Sequence, residues 1–229
     1  MTFNTTVPVI AIDGPTASGK GTVSAALAKQ LGFHYLDSGA IYRALAVAVL
    51  SRALSPSQAN DMIQIQALSQ SLNLLFKDGA VLLDGRDVSL EIRTEKAGLM
   101  ASELAAFPVL RANLLQRQRG FLQPPGLVAD GRDMGTVVFP QAIVKVFLTA
   151  SAEVRAKRRL QQLQRAGGQP DFDQLLADLK RRDAQDAQRS VSPLKPADHA
   201  VIIDSSDQTI EQIVNQLYRL CQSEQLVEK

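Results

Sequence analysis

Short apolar runs alternate along this chain with longer stretches of mixed polarity. Val7–Ile12, Phe33–Leu36, Leu127–Asp130, Ile143–Leu148 and Ala200–Asp204 are runs of strand length bounded by turn residues. Runs without polar alternation predict strands buried on both faces. Helices are predicted between them. Gly21–Leu31 stops at Gly32, which suits the residue after a helix end. Ser38–Arg52 follows Asp37, with Ser38 as the expected N-cap. Ser55-Pro56 opens a helix to about Ser71, with proline at its first position. Glu91–Phe107 and Pro108–Leu122 come next, ended by Pro124-Pro125-Gly126. Ser151 caps an arginine-rich helix running to about Ala166. Asp171–Arg189 carries Phe172, Leu175, Leu176 and Leu179 at helical spacing, and Thr209–Glu224 opens on a Thr209/Gln212 capping box. Strands separated by helices predict an α/β fold, a parallel five-stranded sheet flanked by helices on both faces. One stretch breaks the alternation. Leu72–Phe76 and Val81–Leu83 flank Lys77-Asp78-Gly79, a hairpin signal, and Asp84-Gly85 makes a second turn. This predicts a small antiparallel patch between helices.

Ligands of parallel α/β sheets bind beyond the C-terminal ends of the strands. Three polar clusters fall there: Gly14–Thr22, Asp37-Ser38-Gly39 and Asp130-Gly131-Arg132-Asp133. The first, Gly14, Pro15, Thr16, Ala17, Ser18, Gly19, Lys20, Gly21 and Thr22, sits between a strand and a helix and meets the spacing of a phosphate loop. A helix N-terminus offers unpaired N–H groups and a positive dipole end. Glycines let the backbone close around phosphate, and Lys20 adds a mobile charge. Gly21 stands where many such loops carry Ser or Thr, and the hydroxyl comes one place later, at Thr22. That ending resembles kinases of small metabolites and nucleotides.

The arginines extend this picture, because a planar guanidinium grips phosphate bidentately and stays charged. Arg43 follows the second cluster and Arg132 lies in the third. Arg155, Arg158 and Arg159 share one helix, and Arg182, Asp186 and Arg189 share one helical face. Asp13 and Asp130 are candidates to orient Mg²⁺ or its waters, with Asp13 equally suited to accept backbone N–H groups in a turn. Asp-Gly-Arg-Asp occurs at 84–87 and at 130–133; the first copy reads as a turn, the second as part of the site.

Composition excludes other classes. The net charge of +2 and 5% aromatic content argue against nucleic-acid binding. His34, His199 and Cys221 have no metal-ligand spacing, and Cys221 reads as a packed apolar residue. No Gly-x-Ser-x-Gly elbow is present. No secretory signal precedes Val7 and no apolar run is long enough to span a bilayer, so a cytoplasmic protein without a membrane partner is expected.

Four stretches together resemble the bacterial cytidylate kinases, members of the nucleoside-monophosphate kinase family of P-loop proteins. They are Ile10–Thr22, Leu36–Arg43, Ala105–Pro108 and Ala129–Pro140. The resemblance implies a core (1–37, 123–150 and 190–229), an NMP-binding domain (38–122, with an insertion near 63–102 bearing the antiparallel patch) and a helical lid (151–189). It implies transfer of the γ-phosphoryl of ATP to CMP or dCMP, with Mg²⁺ carried by the ATP phosphates and water near Asp13, Thr22 and Asp130. By position, Ser102, Arg111 and Asp133 would face the cytosine. Ser38, Arg43 and Arg132 would hold the monophosphate, helped by Arg189. Arg182 and Asp186 would hold the sugar. Lys20, Arg132, Arg155, Arg158 and Arg159 would stabilise the transferring charge. A monomer is the default expectation. Two other readings stay open on the residues alone: a P-loop kinase for another small acceptor (UMP, AMP or a shikimate-like compound), and a nucleotide-dependent switch. The second is disfavoured by the lack of an Asn/Thr-Lys-x-Asp guanine reader.

Overall fold

A computed structural model describes residues 7–77, 79–165 and 167–226. The chain forms two compact units, residues 37–119 and the remainder on either side of them in sequence.

The larger unit is built on β1 (Val9–Asp13), β2 (His34–Asp37), β6 (Leu127–Gly131), β7 (Val144–Thr149) and β8 (Val201–Asp204). Their order in the sheet is β2-β6-β1-β7-β8. β1 lies centrally and pairs parallel with β6 and β7, and β7 pairs parallel with β8. The apolar runs dictate this order: every residue of β1 and of β6 is buried, as central strands demand, whereas β8 is largely exposed at the edge. Helices α1 (Lys20–Leu31) and α8 (Ile210–Ser223) pack together over a core of Ile10, Ile12, Leu27, Val146, Ile213 and Leu217. Cys221 is buried in that core, where burial pushes its thiol up to about 11. Helices α6 (Ala152–Arg165) and α7 (Phe172–Ala187) pack as a pair.

The smaller unit contains α2 (Ser38–Ser51), α3 (Ala59–Gln70), α4 (Glu95–Leu104) and α5 (Pro108–Arg119). α2 packs on α4 and α3 on α5. The predicted antiparallel patch is a three-stranded sheet of β3 (Leu74–Lys77), β4 (Ala80–Leu83) and β5 (Arg86–Asp87). Of its hairpin signal, Asp78 lies outside the described residues. Asp84 and Gly85 have positive φ and turn β4 into β5, so the first Asp-Gly-Arg-Asp copy is a turn at 84–85 that leads into the strand at 86–87.

Several boundaries differ from the sequence reading, each for a local reason. Asp37, not Ser38, caps α2; its carboxylate accepts the Ala40 N–H at 2.9 Å. The Ser55-Pro56 segment does not start α3, which begins at Ala59, because the Ser55 N–H is held by Asp61 at 2.8 Å in a preceding turn. The predicted helix 91–107 is broken: Glu91–Arg93 form a 3₁₀ turn, and Thr94, extended, caps a new helix through the Ala97 N–H. α5 ends at Arg119, before Leu122. Met134–Val138 form a π-helical turn that no sequence periodicity announced. The Gly32 helix end, the Ser151 cap and the Thr209/Gln212 capping box form as predicted.

Candidate active site

The loop after β1 has the form its glycines predict. Gly14, Ala17 and Gly19 have positive φ. A Cβ on Gly14 would come within 2.1 Å of the Leu148 carbonyl oxygen, so only glycine fits beside β7. α1 starts at Lys20 with Gly19 in the cap position, no side chain capping it and no acidic residue in its first turn. Lys20 is 9% exposed and donates to the Pro15 carbonyl at 3.1 Å. A buried cation at a helix N-terminus opposes the helix dipole, and an anion bound there reconciles the two. The Ser18 hydroxyl, fully buried in the same loop, has no hydrogen-bond partner among the described residues. The donor set therefore fits a polyphosphate.

Arginines from distant elements grip the outside of this loop. Arg155, at the start of α6, donates to the Thr16 carbonyl at 3.2 Å, to the Ala150 carbonyl at 2.9 Å, and with both guanidinium ends to Asp183 of α7. Arg158 donates to the Ser18 carbonyl at 3.3 Å and to the Ser205 hydroxyl at 3.0 Å; that hydroxyl in turn donates to Ser18 at 2.9 Å. Arg159 donates to Gln162 on its own helix at 2.7 Å.

Arg132, at the end of β6, spans two groups. It donates to the Thr16 hydroxyl at 2.7 Å and to Asp186 at 2.9 Å. The other oxygen of Asp186 accepts from Arg189. Asp186 is 3% exposed, so this carboxylate with two guanidinium donors is a buried ionic cluster. Arg182, also buried, lies one turn earlier on α7. Asp133, next to Arg132, is buried at the cap of the π-turn.

The two candidate aspartates differ. Both Asp13 oxygens are taken by the Met134 and Gly135 N–H groups, each at 2.8 Å, so it anchors a turn. Burial pushes its carboxyl up to about 6, opposed by those two bonds; the Asp133 charge adds to the rise and Arg132 offsets it. Asp130 accepts from the Tyr35 hydroxyl and lies beside Gly21, where a Cβ would stand 3.7 Å from its carboxylate. With the exposed Thr22 hydroxyl on the same first turn of α1, this oxygen set suits a hard cation arriving on phosphates through water. Among the described residues no group of three or more His, Cys, Asp or Glu could hold a metal.

In the smaller unit, Ser38 is buried at the first position of α2, one turn from Tyr42. Arg43 donates to the Ile92 carbonyl at 2.8 Å, which ties α2 to the turn before α4. Ser102 is half-buried on α4. Arg111, 8% exposed on α5, donates to the Ala105 carbonyl at 3.2 Å and lies 5.5 Å from the centre of the Tyr42 ring.

Asp183, Ser205, Tyr35 and Tyr42 support these residues, and the sequence did not point to them. Ser205 follows the last strand, so the rule that selected Asp37 and Asp130 could have found it. Asp183 carried no signal, because its partner is 28 residues away.

A phosphate loop at the end of a central parallel strand, ringed by arginines and one shared carboxylate, defines a P-loop phosphotransferase. The comparisons narrow the class. The cytidylate kinase family model matches residues 10–223. The cytidylate kinase of Bordetella bronchiseptica is 55% identical over 90% of this chain and 92% of its own. That of Pseudomonas aeruginosa is 48% identical over 96% and 97%. That of Methylococcus capsulatus is 50% identical over 95% and 98%. The chain belongs to the cytidylate kinase family.

Proposed function

We propose that this chain transfers the γ-phosphoryl of ATP to CMP or dCMP, giving ADP and CDP or dCDP. The observation that carries the reading is Arg132, which joins the phosphate loop at Thr16 to Asp186 and through it to Arg189. One guanidinium thus stands between a donor site and a set of residues suited to an acceptor. Family membership supplies the acceptor's identity.

The chemistry is a displacement at phosphorus. An oxygen of the acceptor's phosphate bonds to the γ-phosphorus as the bond to the β,γ-bridging oxygen breaks. Such a reaction needs alignment and charge stabilisation more than a covalent partner. Gly14 to Thr22 would hold ATP, with Lys20 on its outer phosphates. Mg²⁺ bound with ATP would neutralise phosphate charge, and Thr22 and Asp130 would hold its waters. Ser38, Arg43, Arg132 and Arg189 would hold the acceptor phosphate, and Arg182 and Asp186 its sugar. Ser102, Arg111 and Asp133 would read the cytosine. A carboxylate accepts from the cytosine amine and meets a carbonyl in uracil, which rejects the near-isostere by leaving two acceptors opposed. Arg155 and Arg158 would brace the loop that holds the phosphates, and with Arg159 on the same helix they would supply the lid's positive charge to the moving phosphoryl when residues 151–189 close. Closure would exclude water and suppress ATP hydrolysis. A monomer suffices, since one chain supplies every group named. A reducing cytoplasm suits its single cysteine.

An ADP-release assay at saturating MgATP with CMP, dCMP, UMP, AMP and shikimate tests this. CMP and dCMP are expected to give the highest kcat/KM. A preference for another acceptor would replace cytidylate with that compound, and acceptor-independent hydrolysis would point to a switch.

A further inference from the structure

The turn that carries Arg132 and Asp133 is capped by a residue from another strand. Met134 and Gly135 open the π-turn, and the first N–H groups of any helical turn lack partners within it. An aspartate at the cap position ordinarily accepts one of them. Asp133 occupies that position, yet its side chain makes no capping bond. The Asp133 carbonyl accepts from Val137 at 2.9 Å and Val138 at 3.1 Å, while its φ of −146° and ψ of 27° leave both the helical and the strand regions. The opening N–H groups go instead to Asp13, more than 120 residues earlier, at 2.8 Å each. Asp13 is 2% exposed at the end of β1, locked by strand pairing opposite Gly131 and Phe147. The turn fits closely around it: a Cβ on Gly135 would meet the Ala197 Cβ at 3.2 Å, the Lys145 Cγ at 3.4 Å and Asp13 itself at 3.5 Å.

A buried carboxylate facing a second carboxylate is an expensive way to cap a turn that already has an aspartate in place. The arrangement makes sense if the local aspartate is needed elsewhere. We propose that Asp13 is a positioning residue for base selection: by taking the Met134 and Gly135 N–H groups it keeps the Asp133 carboxylate from capping its own turn and holds it toward the acceptor base. This rests on the acceptor reading above, in which Asp133 faces the cytosine. Asp13 touches no substrate and acts through the turn.

The test is Asp13→Asn, which keeps shape and offers one acceptor oxygen where there were two. One turn N–H then faces an amide donor, and Asp133 becomes its natural acceptor. The kcat/KM ratio of CMP to UMP is expected to fall fivefold or more, with the KM for ATP within threefold of wild type. A ratio within twofold of wild type overturns the proposal, including the case in which both acceptors and ATP lose together, as a loosened fold would produce. Wild-type enzyme that does not prefer CMP over UMP sinks the acceptor reading itself. A wild-type preference that Asp13→Asn retains sinks only this inference. If the variant does not fold, the wild-type ratio is followed from pH 8 to pH 5.5. Both acceptors carry the same phosphate, which titrates near 6, so its ionisation cancels in the ratio. The groups facing Asp13 are Asp133 and Arg132 from the β6 turn, with Lys145 of β7 beside Gly135. A ratio that declines as Asp13 protonates supports the proposal, and a flat ratio overturns it.

Discussion

Replacing Asp183 by Asn should show that the arginine brace behind the phosphate loop is a stability element with a catalytic consequence. The Arg155 side chain is 5% exposed and that of Asp183 27%. Asp183→Asn removes the charge that neutralises a guanidinium sealed from solvent. Breaking a fully buried pair costs about 3–5 kcal/mol. Here Arg155 keeps the carbonyls of Ala150 and Thr16 as acceptors, which recovers part of that cost. The net loss is therefore about 2–3 kcal/mol. For a chain of this size that lowers Tm by roughly 5–10 °C. Arg155→Met should cost less, because the abandoned carboxylate reaches water. A double-mutant cycle read by urea denaturation should give a coupling of about 1.5–3 kcal/mol. The KM for ATP should rise in Arg155→Met, since the Thr16 carbonyl loses its anchor. A coupling below about 0.5 kcal/mol, typical of exposed pairs, would refute the reasoning. So would Asp183→Asn proving milder than Arg155→Met.

Three further outcomes are expected. Asp186→Asn removes the negative charge that Arg132 and Arg189 share and one of its two acceptor oxygens; it should cost about 3 kcal/mol in urea denaturation, with a larger rise in the acceptor's KM than in that of ATP. Gly14→Ala drives a methyl group into the Leu148 backbone and should abolish ATP binding in isothermal titration; near-normal affinity would contradict the packing. The third concerns pH. The folded Asp13 carboxyl, at about 6, lies above its usual 3.8, so the folded chain holds the proton more tightly than the unfolded one. Protonation then contributes about 3 kcal/mol of stability below pH 4, lost as pH rises through 6. Urea denaturation of wild type and Asp13→Asn between pH 4 and 7.5 should show wild type losing stability relative to the variant over that range, and parallel curves would exclude it.

Much of the site was legible because its chemistry is local. Gly14 to Thr22 is one continuous segment between a strand and a helix, so its geometry follows from its own residues. The ends of β1 and β6 were legible because unbroken apolar runs announce central parallel strands. Boundaries were less so. Ser38 and Asp37 are both good caps, and the backbone at Asp37, extended with φ −87° and ψ 95°, decides between them. Thr94 splits a helix whose apolar periodicity runs on through it. The π-turn at Met134–Val138 has no sequence period of its own; a carboxylate from β1 holds its opening N–H groups.

The sequence by itself determined the class of fold, the phosphate loop and which arginines to examine, since strand patterning, turn residues and helix faces are properties of neighbouring residues. Only the tertiary structure decided what those arginines bond. Arg155 and Arg158 brace loop carbonyls lying about 140 residues away, and Arg132 shares a carboxylate 54 residues away with Arg189. It also decided that Asp13 caps a distant turn. The reason is physical. A charge–charge or capping contact depends on separation in space, and in a parallel sheet a contact between the ends of different strands crosses at least one helix and one loop before the chain returns.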